Sequence, residues 1–243
     1  MSPFYLVVSQ GNSCDAMDIK AYVAKKVNSG AIFSTMPKFN SYMTKKLIKK
    51  SVAKAIFLDR DGTIVRHVDL LHQVSGLRLL PNSARAIQAF NRLGYLVVVI
   101  TNQPVVARGI ATFEDVEKVH ASMIRRFARE GARIDTIYFC PHHPEKHPGV
   151  PEHARKYRMV CACRKPKPGM LKQATKEYKI DPKKSFTIGD SMIDIVAGKR
   201  AGTRTILVKT GPGHRLDAKF AHIKPDHVAR NLLSAADFIK KNT

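Results

Sequence analysis

Short apolar runs alternate with amphipathic segments along most of the chain, from Ala55 onward. The runs AIFLD, YLVVVI and IDTIYF have the length of buried strands, and NSARAIQAFNRLG and TFEDVEKVHASMIRRFAREG repeat their apolar positions with helical spacing. Thr112 and Asp115 form a potential capping box before the second of these helices. Gly94 and Gly131 stand where the two helices should end. The alternation predicts an α/β fold with a largely parallel sheet flanked by helices.

The pattern continues in the second half of the chain and changes at the N-terminus. GMLKQATKEY and SMIDIVAGKRAG predict helices, SFTIGD and TRTILVKT predict strands, and a final helix is expected from Leu232 to Lys240. Before Ala55, FYLVVS has the pattern of a strand and CDAMDIKAYVAKKV that of a helix. Residues 1–54 contain nine lysines and no arginine, whereas all 17 arginines lie beyond them. We therefore divide the chain into a basic N-terminal extension, residues 1–54, whose role is open, and one domain, residues 55–243.

Composition limits the classes of protein to which the chain can belong. With 243 residues, of which 44% are hydrophobic, the chain can bury a substantial core, and no apolar run reaches the roughly 18 residues that span a bilayer. Four cysteines are too few for a disulfide scaffold, which favours a reducing compartment. We expect a monomeric cytoplasmic protein without a membrane span. A mitochondrial or other organellar location is the alternative if the extension is a targeting segment, although such segments are typically rich in arginine.

Polar clusters stand directly after three predicted strands. They are Asp59-Arg60-Asp61-Gly62-Thr63, Thr101-Asn102-Gln103 and Gly189-Asp190. Ligands of parallel sheets bind beyond the carboxyl ends of the strands, so the clusters should converge on one crevice. Two carboxylates one residue apart repel each other unless a cation or a shared proton lies between them. Taken singly, each cluster has a simpler explanation: a DG turn, a loop opening, or a capping box formed by Ser191 and Asp194.

The order of these clusters resembles the four motifs of the haloacid dehalogenase (HAD) superfamily of phosphohydrolases. D-x-D-G-T follows a first strand, a threonine follows a second, Lys165 precedes a helix, and G-D-x-x-x-D comes last. The resemblance implies a Rossmann-like HAD fold and a Mg²⁺ ion bound by the side chains of Asp59 and Asp190 and the backbone carbonyl of Asp61. Asp59 would be the nucleophile that forms a phospho-aspartate. Asp61 would protonate the leaving oxygen and then activate water.

The same resemblance supplies partners for the transferring phosphoryl group. Thr101 would hold its oxygens by a hydrogen bond and Lys165 by charge. Lys167 is the competing lysine, but it lies between two prolines and we expect it to be solvated. Asp194 would steady the lysine and the metal, and a capping role for it is compatible with this.

A segment between Cys140 and Cys163 indicates a second metal site. Cys140-x-His142 and Cys161-x-Cys163 offer three thiolates and one imidazole, a set that suits tetrahedral Zn²⁺. The 18 residues between His142 and Cys161 are polar and contain prolines, so a metal would supply the order that this loop lacks by itself. The alternative is a set of reduced thiols without a metal.

A narrower resemblance covers about residues 55–213. The TNQ…ARG segment, the C-x-H…C-x-C loop and the CRKPKPGM that follows resemble the heptose-1,7-bisphosphate phosphatases, and the histidinol-phosphate phosphatases are similar. The resemblance implies a small phosphorylated sugar as substrate, with Asn102, Arg108 and Arg164 as candidates for binding it; ordinary basic surface is the alternative for both arginines. The family commonly has Ser-Gly-Ile after TNQ, whereas this chain has Pro104-Val105-Val106, so recognition there is expected to differ.

The net charge supports a competing hypothesis. The chain carries a formal charge of +23, and its isoelectric point is about 10.1. Such a surface attracts polyanions without reading their sequence. A phosphatase-like domain serving as a component that associates non-specifically with RNA or a ribonucleoprotein is therefore the alternative to an enzyme of sugar phosphates.

Overall fold

A parallel sheet of seven strands forms the centre of the described residues. The computed structural model describes residues 6–9, 52–145, 149–215, 218–220 and 222–243. Its strands are β1 (Leu6–Ser9), β2 (Ala55–Leu58), β3 (Leu96–Asn102), β4 (Thr136–Cys140), β5 (Phe186–Gly189), β6 (Arg204–Val208) and β7 (His227–Ala229). Their order is β1-β4-β3-β2-β5-β6-β7, and each neighbouring pair is parallel. All their carboxyl ends therefore lie at one edge of the sheet.

Helices cover both faces of this sheet. They are α1 (Ser83–Arg92), α2 (Phe113–Arg129), α3 (Glu152–Arg155), α4 (Gly169–Tyr178), α5 (Met192–Ala201) and α6 (Leu232–Lys241), with 3-10 turns at Val74–Gly76, Pro182–Lys184, Pro212–Arg215 and Ala218–Phe220. The apolar sides of α1, α2 and α6 share one core. Residues of α4 and α5 contribute to a second core. The sheet lies between these two layers.

The two cores follow from the alternation of side chains along the central strand. Ile56 and Leu58 of β2 enter the core of α1, α2 and α6, whereas Ala55 and Phe57 enter the core of α4. Successive side chains of a strand point to opposite faces, so a strand buried on both faces must be apolar throughout. Full burial of each large apolar side chain stabilises the fold by about 1.5–3 kcal/mol. Packing on both faces therefore holds β2 in place, and with it the residues that follow the strand, beginning with Asp59.

The predicted fold class is confirmed. The Thr112 side chain accepts a hydrogen bond from the Asp115 backbone and caps α2 as expected. The last helix reaches Lys241, one residue beyond its predicted end. Within the described residues, no helix is both long and apolar enough to cross a membrane.

The N-terminal segment joins the sheet at one point. β1 lies within the predicted strand FYLVVS and pairs in parallel with β4 at the edge of the sheet. The helix predicted over CDAMDIKAYVAKKV lies outside the described residues. The division of the chain at residue 54 stays a prediction.

The strand order places a crevice beside β2. From β2 the chain adds β3 and β4 on one side, and it then adds β5, β6 and β7 on the other. The connections diverge between β2 and β5, and an open parallel sheet binds its ligands at such a point. Asp59 follows β2 and Asp190 follows β5, so both carboxylates lie at this crevice.

Candidate functional site

A buried lysine connects two aspartates at the crevice. Lys165 Nζ lies 2.6 Å from Asp59 Oδ1 and 2.6 Å from Asp194 Oδ1, and it also donates to the Ile100 carbonyl oxygen at 2.8 Å. Asp194 accepts a hydrogen bond from the Ser191 backbone and completes the capping box of α5. The structure therefore contains both the contact with Lys165 and the helix cap that were predicted for Asp194. Lys167 is directed elsewhere, because its Nζ donates to the Cys161 carbonyl oxygen.

Glycine backbone encloses the carboxylate of Asp190. Its Oδ2 accepts a hydrogen bond of 3.1 Å from the Gly213 backbone. A Cβ atom at Gly211 would stand 2.0 Å from this oxygen, and one at Gly62 would stand 2.6 Å from it. Only glycine leaves room for the carboxylate at either position. Gly62 also has a φ of +81°, which glycine adopts without strain.

Asp61 is held by two side chains. Arg60 donates to both of its oxygens, from Nε and from NH2, each at 3.0 Å. Gln103 Nε2 donates to Asp61 Oδ2 at 3.0 Å and to Thr101 Oγ1 at 2.9 Å. Because the Thr101 hydroxyl accepts this bond, its own proton remains available to an acceptor in the crevice. The amide of Gln103 thus joins the predicted acid–base residue to the predicted phosphoryl-binding residue.

The acidic groups lie in an environment that disfavours their charged forms. Burial raises the pKa of Asp59 to about 7, against the opposing charge of Lys165. Burial and the neighbouring Asp59 raise the pKa of Asp190 to about 6, and burial also raises the pKa of Asp194. Burial alone would lower the pKa of Lys165, but Asp194 and Asp59 outweigh it and raise that pKa above its ordinary value. Full ionisation of these carboxyls therefore calls for a further cation.

The carboxylates of the cleft form a set of oxygen donors that could bind this further cation. One carboxylate oxygen from each of Asp59, Asp190 and Asp194 lies within 4.8 Å of the others. Mg²⁺ prefers oxygen ligands and commonly takes one or two carboxylates together with phosphate oxygens and water. Asp194 is engaged both by Lys165 and by the capping box of α5, so Asp59 and Asp190 are the pair that fits a divalent ion.

Residues of all three strand ends line one cleft of about 330 Å³. They include Asp59, Asp61, Thr101, Asn102, Lys165, Asp190 and Asp194, with Val68, Leu70, Pro104, Val105 and Ile193 among its apolar lining. The sequence predicted this convergence. The volume is that of a site for a small molecule.

The three predicted substrate-binding residues, Asn102, Arg108 and Arg164, each have a different hydrogen-bond or ion-pair partner. Asn102 Nδ2 donates to the Lys165 carbonyl oxygen at 3.1 Å, and its Oδ1 accepts from the Lys165 backbone N–H at 3.0 Å. Arg108 forms a salt bridge of 3.3 Å with Glu145. Arg164 donates to the His142 carbonyl oxygen at 3.2 Å. Burial lowers the pKa of Arg164; the thiols of Cys140 and Cys161 oppose this effect, and the charge of Arg108 adds to it.

Three thiols and an imidazole form a second cluster. The Cys140 sulfur lies 3.6 Å from Cys161 Sγ and 3.2 Å from Cys163 Sγ, and the sulfurs of Cys161 and Cys163 are 3.2 Å apart. His142 Nδ1 lies 3.3 Å from the Cys163 sulfur. These separations are far longer than a disulfide bond and approach the spacing of ligands around a tetrahedral ion with bonds of about 2.3 Å. All four residues are buried.

The electrostatics of the thiols also fit a cation. Hydrogen bonds from Cys140 and Cys163 lower the pKa of the Cys161 thiol, whereas hydrogen bonding to Cys161 raises the pKa of Cys140 to about 12. Hydrogen bonding to Cys140 and Cys161 raises the pKa of Cys163. Without a metal the cluster therefore favours one thiolate over three. Zn²⁺ would allow all three to ionise, which is the chemistry expected of this donor set.

Sequence reasoning assigned no role to three residues that support the site. Gln103 links Thr101 to Asp61, and its place in the TNQ segment was the available signal. Arg60 lies between two acidic residues and is almost fully buried. A charged residue in a turn is ordinarily expected to be exposed, so this burial has no signal in the sequence. His120 bonds to Arg60 from α2, and its signal was a polar residue on an apolar helix face.

Comparison with known proteins places this chain in a family. The family model described as HAD-hydrolase-like matches residues 162–235. The D-glycero-beta-D-manno-heptose-1,7-bisphosphate 7-phosphatase of Pasteurella multocida is 43% identical over 167 residues, which cover 68% of this chain and 87% of that protein. The D-glycero-D-manno-heptose-1,7-bisphosphate 7-phosphatase of Chlorobaculum tepidum is 39% identical over 192 residues, covering 75% and 92%.

A solved structure leads to the same family. The crystal structure of the D,D-heptose 1,7-bisphosphate phosphatase from B. bronchiseptica, complexed with magnesium and phosphate, aligns with a TM-score of 0.67 at 31% identity. The alignment covers 78% of this chain and 99% of that one. The fold seen here thus recurs in a protein named as a heptose bisphosphate phosphatase. The chain therefore belongs to the heptose-1,7-bisphosphate phosphatase family of HAD-like hydrolases.

Proposed function

We propose that the protein hydrolyses the phosphate ester at carbon 7 of a heptose 1,7-bisphosphate and releases inorganic phosphate. The observation that carries the proposal is the convergence of Asp59, Asp190 and Lys165 in one cleft, in a chain 43% identical to a 7-phosphatase. Relatives named for the alpha and for the beta substrate both match at similar identity, so both anomers belong in the test.

Asp59 and Asp190 would hold Mg²⁺ through their side chains, with the backbone carbonyl of Asp61 as the third protein ligand. Their carboxylates are close together and disfavoured as free anions, which supports this assignment. When bound, the ion offsets the repulsion between the attacking carboxylate and the phosphate. Asp194 stays outside this set because Lys165 and the α5 cap already engage it.

In the first half of the reaction, a carboxylate oxygen of Asp59 forms a bond to phosphorus while the bond from phosphorus to the sugar oxygen breaks. Asp61, protonated at this stage, donates its proton to the leaving sugar oxygen. Lys165 and the Thr101 hydroxyl would stabilise the negative charge on the phosphoryl oxygens. The Lys165 ammonium is already 2.6 Å from Asp59, so it lies close to the phosphoryl group when that group is bound to Asp59.

In the second half, Asp61 accepts a proton from water, and the water oxygen forms the new bond to phosphorus. The bond between phosphorus and the Asp59 oxygen breaks, which restores the carboxylate and releases phosphate. Asp61 is protonated again for the next turnover. One residue thus acts first as an acid and then as a base, which requires that its carboxyl group be held accurately.

The zinc-type cluster is formed by Cys140, His142, Cys161 and Cys163. We assign it a role in holding the loop between Cys140 and Cys163 rather than in the reaction. Cys163 is followed directly by Arg164 and Lys165, so fixing the sulfur also fixes the lysine. The Arg164 backbone N–H lies 3.4 Å from the Cys161 sulfur and supports that thiolate. The cluster therefore connects the 140–163 loop to the cleft.

Arg108 and Arg164 would bind the second phosphate of the substrate. The charge of Arg108 contributes to the lowered pKa of Arg164, and an anion bound by both guanidinium groups would offset this effect. Glu145 pairs with Arg108 in the structure, so binding would exchange this carboxylate for the phosphate. Asn102, by contrast, is occupied by the Lys165 backbone, and we propose that it positions Lys165 instead of contacting the sugar.

A substrate screen tests the function. Phosphate release is measured with Mg²⁺ on both anomers of heptose 1,7-bisphosphate, on heptose 7-phosphate and on histidinol phosphate. We expect the highest kcat/KM for a bisphosphate and complete loss of activity in D59N, which keeps the shape of the side chain but removes the nucleophile. Activity that is independent of Mg²⁺, or unaffected by D59N, would contradict the proposal. A preference for histidinol phosphate would change the substrate and keep the reaction.

Association with nucleic acid and a cytoplasmic location remain predictions. The described residues contain no feature that favours nucleic acid as a ligand beyond the overall charge of +23. A cytoplasmic location agrees with thiols that are free and suited to a metal. The steepness with which RNA binding responds to salt, with and without residues 1–54, tests the alternative.

A further inference from the structure

A histidine occupies a core position of α2. His120 is fully buried on the helix face that also buries Val116, Val119, Met123 and Phe127. Its ring packs edge to face against Phe139, with 5.3 Å between ring centroids. An apolar residue would fill this position without the cost of burying an imidazole. The histidine therefore calls for an explanation other than core packing.

The partner of His120 fixes its protonation state. Arg60 NH1 lies 3.1 Å from His120 Nε2. A guanidinium group can only donate hydrogen bonds, so Nε2 is the acceptor and the ring is neutral, with its proton on Nδ1. That Nδ1 is buried and has no hydrogen-bond partner among the described residues. Burial, together with the charge of Arg60, lowers the pKa of His120 well below its ordinary value, which agrees with a neutral ring.

The same guanidinium group holds Asp61. Arg60 uses NH1 for His120, and it uses Nε and NH2 for the two carboxylate oxygens of Asp61. Its side chain is 1% exposed, so water does not replace any of these partners. A planar fork with an acceptor at each end has little freedom to rotate. Rotation of the Asp61 carboxylate is limited in turn.

We propose that His120, acting through Arg60, positions the carboxyl group of Asp61 for proton transfer to the leaving oxygen. The proposal rests on the proposed phosphatase function and goes beyond it, since it assigns a positioning role to a residue on the far side of Arg60. Without an acceptor at His120, the NH1 end of the guanidinium would be buried and unpaired. The fork would turn to find another acceptor, and Asp61 would turn with it.

A matched pair of variants at position 120 separates hydrogen bonding from packing. H120M and H120Q introduce unbranched side chains of similar size, but only glutamine offers an oxygen acceptor near the position of Nε2. Both variants are compared with the wild type on heptose 1,7-bisphosphate, whose leaving alkoxide needs a proton, and on p-nitrophenyl phosphate, whose leaving group does not. The quantity compared is kcat/KM, which covers phosphoryl transfer to Asp59 and excludes the later attack of water.

We expect H120M to lower kcat/KM for the heptose substrate about tenfold and for p-nitrophenyl phosphate less than about threefold, because only the first reaction needs the acid. H120Q should restore the heptose value to within about threefold of the wild type. An equal loss on both substrates, or no loss on either, would overturn the proposal. If H120M does not fold, R60K carries the test, because lysine keeps the charge and loses the fork, and the same selective loss is expected.

Failure of the proposed function has a different signature. In that case the wild-type protein releases no phosphate from the heptose substrate, whatever residue stands at position 120. If the wild type is active and H120M keeps its ratio of activities on the two substrates, the function stands and only the positioning role is lost. The melting temperatures of H120M and H120Q, measured in parallel, show whether either variant is destabilised.

Discussion

The ammonium group of Lys165 lies 2.6 Å from the carboxylate of Asp59, and both side chains are buried. The lysine also neutralises Asp194 at the same distance. One cation thus allows two carboxylates to stand at the base of the cleft. We expect its removal to affect both stability and catalysis.

We expect K165M to lower kcat by about 10²–10³-fold, because the phosphoryl group loses a preorganised charge. The variant should also lose about 3–5 kcal/mol of unfolding free energy, since it leaves two buried carboxylates without their partner. Urea denaturation and steady-state kinetics measure the two effects. K167M is the matched control and should retain kcat within about twofold, because Lys167 bonds to a loop carbonyl outside the cleft. Equal effects of the two variants would contradict the assignment.

Asn102 offers a test that separates positioning from substrate binding. Its amide bonds in both directions to the backbone of Lys165. N102A should therefore lower kcat about tenfold and change KM less than about twofold, since the lysine loses its alignment. A large rise in KM with unchanged kcat would show that Asn102 binds the sugar, as the sequence predicted.

Gly211 controls the space around Asp190. The Cβ atom of G211A would stand 2.0 Å from the Asp190 carboxylate and must displace it. We expect the Kd for Mg²⁺ to rise at least about tenfold, as measured by the Mg²⁺ dependence of activity and by calorimetry. G94A is the control, because nothing lies within 4 Å of its added Cβ and only the strain of a positive φ remains. G94A should lose stability without losing Mg²⁺ affinity; similar losses of affinity in both variants would contradict this explanation.

Loss of the zinc-type cluster should release the loop between Cys140 and Cys163. C163A is expected to contain no zinc by atomic absorption, to melt at least about 5 °C lower, and to be cleaved by protease within residues 143–160. Activity should fall as well, because Lys165 stands two residues beyond Cys163. C14S is the control, since Cys14 lies outside both the Cys140-x-His142 and the Cys161-x-Cys163 pairs of the sequence. A variant that keeps its stability without zinc would favour reduced thiols with no metal.

The raised pKa values of the cleft predict how stability depends on pH. Burial raises the pKa of Asp59 to about 7 and that of Asp190 to about 6, whereas the ordinary value is 3.8. The folded protein without Mg²⁺ therefore holds protons that the unfolded chain has released, and its unfolding free energy falls as pH rises from about 4 to about 7. The raised pKa of Lys165 acts only at alkaline pH, outside this window.

Urea denaturation across this pH window measures the effect with Mg²⁺ omitted or added. Chelators are avoided because they would also remove zinc. Saturating Mg²⁺ should flatten the pH dependence, since it stabilises the carboxylates, and D59N should remove part of it. Identical profiles with and without Mg²⁺ would argue against a magnesium site at Asp59 and Asp190.

Much of this architecture follows from local sequence. The alternation of apolar runs with helical periods predicted the parallel sheet, because a strand buried on both faces must be apolar throughout. Thr112 and Asp115 capped α2 as expected, since a capping box involves only residues three positions apart. Asp59, Thr101 and Asp190 could be placed at one crevice because all parallel strands end at the same edge. The cysteines and His142 could be grouped by their spacing alone.

Only the tertiary structure decided which side chains serve one another. Asn102 and Lys165 lie 63 positions apart, and the sequence does not show that the amide bonds to the lysine backbone. The chain from His120 through Arg60 to Asp61 joins a helix to a strand end that lies 60 positions away. Such partnerships depend on how α2 packs against the sheet, and hydrogen bonds at that distance leave no period in the sequence. Local patterns determined the elements and indicated the candidate reacting groups, and packing determined the hydrogen-bond partners that hold those groups.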